Sequence, residues 1–428
     1  MTRKNKKPAV VHKMLLKAAV FTLTGILSTI VAQVLIYAGA GESWTMLLPL
    51  SNYLGMALAA FLPDAWLGVK SVPSVYTGVE KTQINHHGVF YAALMRLLDV
   101  PRPMGAIERA PPGTLTVPLP VYVLTAVVMD IFGFYLHVQG IKYAGSALFQ
   151  VLYCSVVVWS ALGYWFARTP FGSRFLLSLG FVELATPGEV AAGVELNTMQ
   201  STGIVMVLGG LAVTAFSEQQ GPVSRSTLGV LYGLLCSVAC AVCYGVVYTL
   251  AELLMSGPSP PRVQAVSARV GGGICVVLGS YILIAVLPRW GDVSLRVAEV
   301  GLLSPIQVIM GYAVMLCSAL AHSVTYFQLM GQAGAVTTSI MQAARAVGVF
   351  LFSAFLFCSH NNSAAALAGP WEALKQESQC FSFPRGVATV SVVMGIIVYA
   401  YGKTVVKAHV VRKESLDEDV KIEKTDEK

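Results

Sequence analysis

Two charges stand inside stretches otherwise too apolar to hold them. Asp130 lies near the middle of LTAVVMDIFGFYL, and Arg345 near the middle of SIMQAARAVGVFLF. An ionised group at membrane depth costs about 3 kcal/mol on insertion scales, so it needs water, a partner or a ligand. A guanidinium is a planar fork that suits a carboxylate, phosphate or carbonyl group. The aspartate could take up a proton or a cation as its surroundings change. Asp130 and Arg345 are therefore either opposing walls of a wet cavity or a fixed ion pair locking two helices. Gln150 and Tyr153 are three residues apart, as are Gln342 and Arg345, so each pair can share a helix face. Their polar groups could orient a solute or form interhelical hydrogen bonds worth about 1 kcal/mol or less. His322 joins these candidates, whereas His137 is expected to be hydrogen-bonded within the bundle.

No catalytic or metal-binding set accompanies them. HExxH, GxSxG and a Gly-rich phosphate loop with its lysine are all missing, so neither an enzyme nor a self-powered ATP pump is expected. No cofactor is implied, and active movement of a solute would need coupling to protons or to a counter-substrate. Cys236, Cys240 and Cys243 share a face at i, i+4 and i+7, where polarizable packing is expected before metal ligation. The His86-His87 pair is expected in a solvated loop.

The elements that must position these residues are membrane spans. Of 428 residues, 55% are hydrophobic and 12% charged, about half the charge of an ordinary soluble domain. That composition excludes a soluble enzyme and a nucleic-acid-binding protein. Spans of roughly 20 apolar residues recur along the chain. Ten are expected, at about Lys17–Tyr37, Trp44–Leu62, Leu119–Val138, Gly145–Phe166, Ser201–Phe216, Thr227–Leu250, Ser267–Leu287, Ile306–Met330, Ala335–Cys358 and Gly386–Tyr401. Arg174–Val182 is apolar but short and should lie at the interface or form part of a loop instead of crossing. A basic tail over 1–16, expected to be retained, precedes them, and a charged, solvated tail follows over 402–428.

An even number of spans puts both termini on one side. That side receives 22 of the 29 basic residues and the other side six, with Arg345 inside a span, so both termini are expected in the cytosol. The sequon at Asn361 then falls in the luminal loop 359–385. Cys358 and Cys380 bracket that loop, and an oxidising lumen would permit a disulfide between them.

A shift of 192 residues lays Ser146–Tyr153 on Thr338–Arg345, Gln150 on Gln342 and Asp130 on His322. Ten spans thus divide into two fives, over 17–216 (with cytosolic insertions at 63–118 and 167–200) and 227–401. Five is odd, so the second set must be inserted upside down. Transporters built this way hold their solute near mid-membrane between the halves.

From about Leu119 onward, this organisation resembles the drug/metabolite transporter superfamily. The likeness is greatest to the F-type, nucleotide-sugar-transporter-like branch of solute carrier family 35. Gly145–Trp159 (GSALFQVLYCSVVVW) is similar to that branch's fourth span, and Val336–Phe355 to its ninth. A basic residue commonly stands at the place of Tyr153 in relatives; here Arg345 would take over from the other half. The chloroquine-resistance transporter group is a more distant likeness. The resemblance implies alternating access for a small polar organic solute, nucleotide-sugar-like, amino-acid-like or peptide-like, or drug-like. The expected setting is a multi-pass protein in the lipid bilayer of a eukaryotic endomembrane such as Golgi, lysosome or vacuole. The plasma membrane and a homodimer stay open, as does a receptor or scaffold that keeps the fold without transport. In a glycosylating host the protein should carry an endoglycosidase-sensitive glycan that Asn361→Gln removes; an Asn361 segment reached by cytosolic proteases would reverse the orientation.

Overall fold

A computed structural model describes residues 7–62, 115–144, 149, 152–184, 197–218, 227–257, 260–358, 383, 386–399 and 401–402. These residues are almost wholly helical. In chain order the helices are α1 (Lys7–Tyr37), α2 (Leu47–Ala57), α3 (Leu119–Ala144), α4 (Val156–Arg168), α5 (Pro170–Ser178) and α6 (Thr198–Glu218). They continue with α7 (Thr227–Met255), α8 (Val263–Tyr281), α9 (Trp290–Val300), α10 (Pro305–Phe357) and α11 (Gly386–Tyr399). Among the described residues five helices are long and apolar enough to cross a membrane, and shorter apolar helices accompany them. The protein is all-α and membrane-embedded.

The lipid-facing and inward faces separate cleanly on α3. Leu124, Val128, Phe132 and Tyr135 recur at helical spacing on the exposed side, while Tyr122, Ala126, Asp130 and Gly133 are buried on the other. This arrangement puts the aspartate on the face that meets protein.

α10 is two helices in one run. Gly334 breaks it with φ 82° and ψ 169°, a conformation that a side chain would oppose. Contacts with α1 show that the chain reverses there. Before the break, Ser318 Oγ donates to the Thr24 carbonyl and Tyr312 Oη to that of Ala40, an antiparallel order. After it, Arg345 meets Thr29 and Ser353 meets Gln33, a parallel order. The same arrangement recurs about α7. Against α3 the order is antiparallel, with Gly133 beside Tyr244 and Gly140 beside Ser237; against α4 it is parallel, with Trp159 at Gly245 and Ser160 at Thr249. α2 packs on α8 between these groups.

Close approach in lipid depends on small residues, because apolar side chains gain nothing there by leaving water. A Cβ on Gly271 of α8 would stand 2.6 Å from the amide nitrogen of Ala57 and 2.7 Å from the carbonyl oxygen of Tyr53 on α2. Its neighbour Gly272 faces open space.

Several boundaries differ from the sequence expectations. α1 begins at Lys7, so part of the basic tail is helical. The fourth span is interrupted, because i→i+3 bonds from Ser155 to Leu152 and from Val157 to Cys154 tighten the chain before α4 starts at Val156. α7 runs more than one turn further than expected, to Met255, and Glu252 in that extension accepts from the Ala335 amide of α10. The seventh span continues as a π turn over Ile282–Val286, and Pro288 then leads into α9. α5 starts four residues before the expected short apolar segment and covers only its first five residues, with Phe171 and Phe175 exposed. Beyond the helices, a two-residue antiparallel bridge joins β1 (Leu115–Thr116) to β2 (Glu183–Leu184) and so ties the ends of two long connections. Cys358, which follows α10, is disulfide-bonded; Cys380 and Asn361 lie outside the described residues.

Gly271→Leu should separate α2 from α8, since backbone atoms cannot yield as a flexible side chain would. The expected cost is about 1–3 kcal/mol, seen as a lower midpoint in detergent thermal unfolding, with Gly272→Leu close to neutral.

Candidate functional site

Where α1, α2, α3, α7, α8 and α10 converge they enclose a cavity of about 200 Å³. About 10–15 Å³ suffices for one water, so there is room for several waters or a small solute. Asp130, Tyr153, His322, Gln342 and Arg345 all line it. Gln150 lies outside the described residues. His137, expected to be hydrogen-bonded within the bundle, also borders the cavity; its ring stacks 5.5 Å from Phe134 and meets Phe149 edge-on at 4.3 Å.

The two charges occupy the same hollow without pairing. No Asp130–Arg345 ion pair exists among the described residues. Asp130 is 7% exposed, on the inward face of α3. Arg345 crosses to α1, where Nη2 donates to Thr29 Oγ1 at 2.6 Å, and that hydroxyl donates to the Gly25 carbonyl at 2.9 Å. Gly25 makes the crossing feasible, since a Cβ there would stand 2.8 Å from Arg345 Nε and 3.0 Å from His322 Cε1. His322 lies stacked on Phe21 at 4.2 Å, with Nδ1 2.9 Å from the Phe21 carbonyl. A carbonyl only accepts, so Nδ1 carries a proton and the ring is pinned to α1.

Three buried polar atoms on lining residues have no protein partner: Arg345 Nε, Gln342 Oε1 and Tyr326 Oη. Buried donors and acceptors are nearly always satisfied, and leaving one unpaired costs about 1–3 kcal/mol. The thiols of Cys236, Cys240 and Cys243 do not contribute to this set; they are buried with Leu136, Phe149 and Tyr153 as packing.

The cavity has a hollow end and a closed end. On α1 its walls run from Ser28 to Tyr37, toward that helix's C-terminus. At the opposite end, Ser160 Oγ of α4 lies 3.1 Å from Ser339 Oγ of α10, and both residues are fully buried. Thr249 Oγ1 donates to the Ser160 carbonyl at 3.2 Å. Glu252 accepts from the Ala335 amide at 3.0 Å, just past the Gly334 break. Above this layer Tyr326 packs on Tyr248 at 5.0 Å and on Phe327 at 4.8 Å, forming an aromatic floor.

Sequence reasoning missed much of this lining. Thr29, Asn52, Tyr122, Tyr244, Tyr248 and Tyr326 all face the cavity. A signal existed for some of them, since Tyr244, Tyr248 and Glu252 repeat every four residues in an apolar helix, as do His322 and Tyr326. Thr29 carried no such signal, because its partner is 316 residues away.

The Arg345–Thr29 contact can be measured by a double-mutant cycle in thermal unfolding. Thr29→Val should cost about 1–3 kcal/mol in the native background and much less when Arg345 is already Met, while Thr29→Ser should be mild.

No family model matches the sequence, and no curated protein matches it. A solved crystal structure, described only as "Crystal structure of protein", aligns with 89% of this chain and 96% of its own at 15% identity. Its TM-score of 0.39 is too low to carry an argument about this chain.

Proposed function

We propose that the chain is a secondary transporter that moves a small polar organic solute by alternating access. In this proposal it has ten spans in two inverted five-helix repeats and belongs with the drug/metabolite transporters, near the F-type branch of solute carrier family 35. The observation that carries the proposal is the unpaired Asp130 and Arg345 on one cavity, hollow toward one end and packed shut at the other.

The packing order supports the repeat. α1 runs antiparallel to the first part of α10 and parallel to the second; α7 stands in the same relation to α3 and α4. Exchanging the halves maps one group onto the other and the α2–α8 pair onto itself. An inverted repeat has two near-equivalent arrangements, one open on each side, and the asymmetry here corresponds to one of them. With cytosolic termini the open side is luminal, and the Ser160–Ser339 contact is a cytosolic gate between the halves. The setting proposed is a eukaryotic endomembrane, with a proton gradient or counter-substrate as the driving force.

Purified protein in liposomes should exchange its solute, and Arg345→Ala should reduce exchange at least tenfold while the helical circular-dichroism spectrum is kept. Oxidising a Ser160→Cys/Ser339→Cys variant should stop exchange, and reductant should restore it; unimpeded exchange in the crosslinked form would remove this contact from the gate.

A further inference from the structure

The cavity is unusual in its charge balance. Among its described lining residues Asp130 is the one carboxylate and Arg345 the one guanidinium, and they do not neutralise each other. Their surroundings differ. Asp130 lies within electrostatic reach of Tyr53, Tyr122, Tyr244, Tyr248 and Tyr326, all of which line the cavity. Tyrosine faces attract cations, and a carboxylate among several of them suits an ammonium group. Arg345, held to Thr29 through one nitrogen, keeps Nε buried without a protein acceptor. One helical turn before it, Gln342 is 5% exposed and its Oε1 lacks a donor. Tyr248 lines the same cavity as both charges, so the two sets of groups share one space.

A ligand must satisfy both ends. A lone amine would leave the guanidinium without an anion and add a second cation beside it. A lone carboxylate would leave Asp130 facing another negative charge. A nucleotide sugar would bring a diphosphate's charge to a site with one arginine and an opposing carboxylate. With Asp130 ionised, a solute carrying both signs is the one that leaves neither charge unmatched. Between the polar ends the walls include Ile36, Met56, Phe134, Val270 and Met315, which would take an apolar side chain.

We propose that the solute is a zwitterion, a small amine-bearing carboxylic acid or short peptide. Its ammonium sits against Asp130 among the tyrosines, and its carboxylate sits on Arg345. This assignment rests on the transporter reading for its biological role, but the test measures binding and so stands or falls separately.

The test uses the full-length purified protein in nanodiscs, with thermal stabilisation and calorimetry against the twenty L-amino acids and a set of dipeptides. The comparison probes are 3-phenylpropionate, phenethylamine and UDP-glucose. At least one zwitterion should bind, and removing its amine or its carboxylate should weaken binding at least tenfold. The near-isosteric Asp130→Asn should weaken the zwitterion at least tenfold while leaving 3-phenylpropionate as tight or tighter. Thr325→Ala, away from the cavity lining, should leave zwitterion binding unchanged. Binding of UDP-glucose or of either single-charge analogue as tightly as the best zwitterion would overturn the proposal. So would the lack of any zwitterion response, or an Asp130→Asn protein that still unfolds cooperatively and binds the zwitterion normally. Solute exchange with a different cargo, together with any of these outcomes, would leave the transporter reading intact and sink the zwitterion alone.

Discussion

An aspartate and an arginine share one apolar bundle, and the protein must keep them apart without leaving either dry. Had they met, the attraction would have closed the centre and left a rigid strut. Instead Arg345 is drawn across Gly25 to a hydroxyl on α1, and Asp130 shares the cavity lining with tyrosines from α2, α3, α7 and α10. Arg345 is thus oriented by a neutral dipole that favours its charge without cancelling it. The same low-dielectric walls that make the charges costly also make any ligand they recognise strongly preferred over water.

The helices around this centre are held by contacts of another kind. Lipid supplies no hydrophobic pressure between spans, so adhesion comes from close backbone approach and from short polar bonds. Gly271 serves the first purpose and the Ser267–Ser323 hydroxyl bond at 3.1 Å the second. Many of the remaining Ser and Thr hydroxyls bond within their own helix, as Thr325 does to the Ala321 carbonyl. Those hydroxyls are accommodated in an apolar setting without joining helices. The sealed end, where α4, α7 and α10 meet, combines such bonds with aromatic packing, and the hollow end has fewer obstacles to opening.

The all-α, membrane-embedded class was legible because lipid imposes a coarse rule of about twenty apolar residues with charges outside. The charges at 130 and 345 were conspicuous against that background, and both line the cavity. Finer features depended on tertiary partners. The sixth span was expected to stop at Leu250, yet α7 continues past Glu252, whose carboxylate accepts from an amide 83 residues away. The interruption before α4 was hidden because Cys154 and Ser155 are ordinary residues within a hydrophobic run. The tyrosines were the largest loss, since an amphipathic ring suits a lipid boundary, a packed core and a wet pocket equally well. Only the placement of neighbouring helices decides among those roles.

Gly334 reverses the chain within a single helical run, with no loop to absorb slack. The two arms of α10 therefore behave like a folded carpenter's rule whose pivot is one residue long. One arm bears His322 and Tyr326, and the other bears Gln342 and Arg345. The floor and the guanidinium-bearing wall of the cavity therefore turn about one shared pivot.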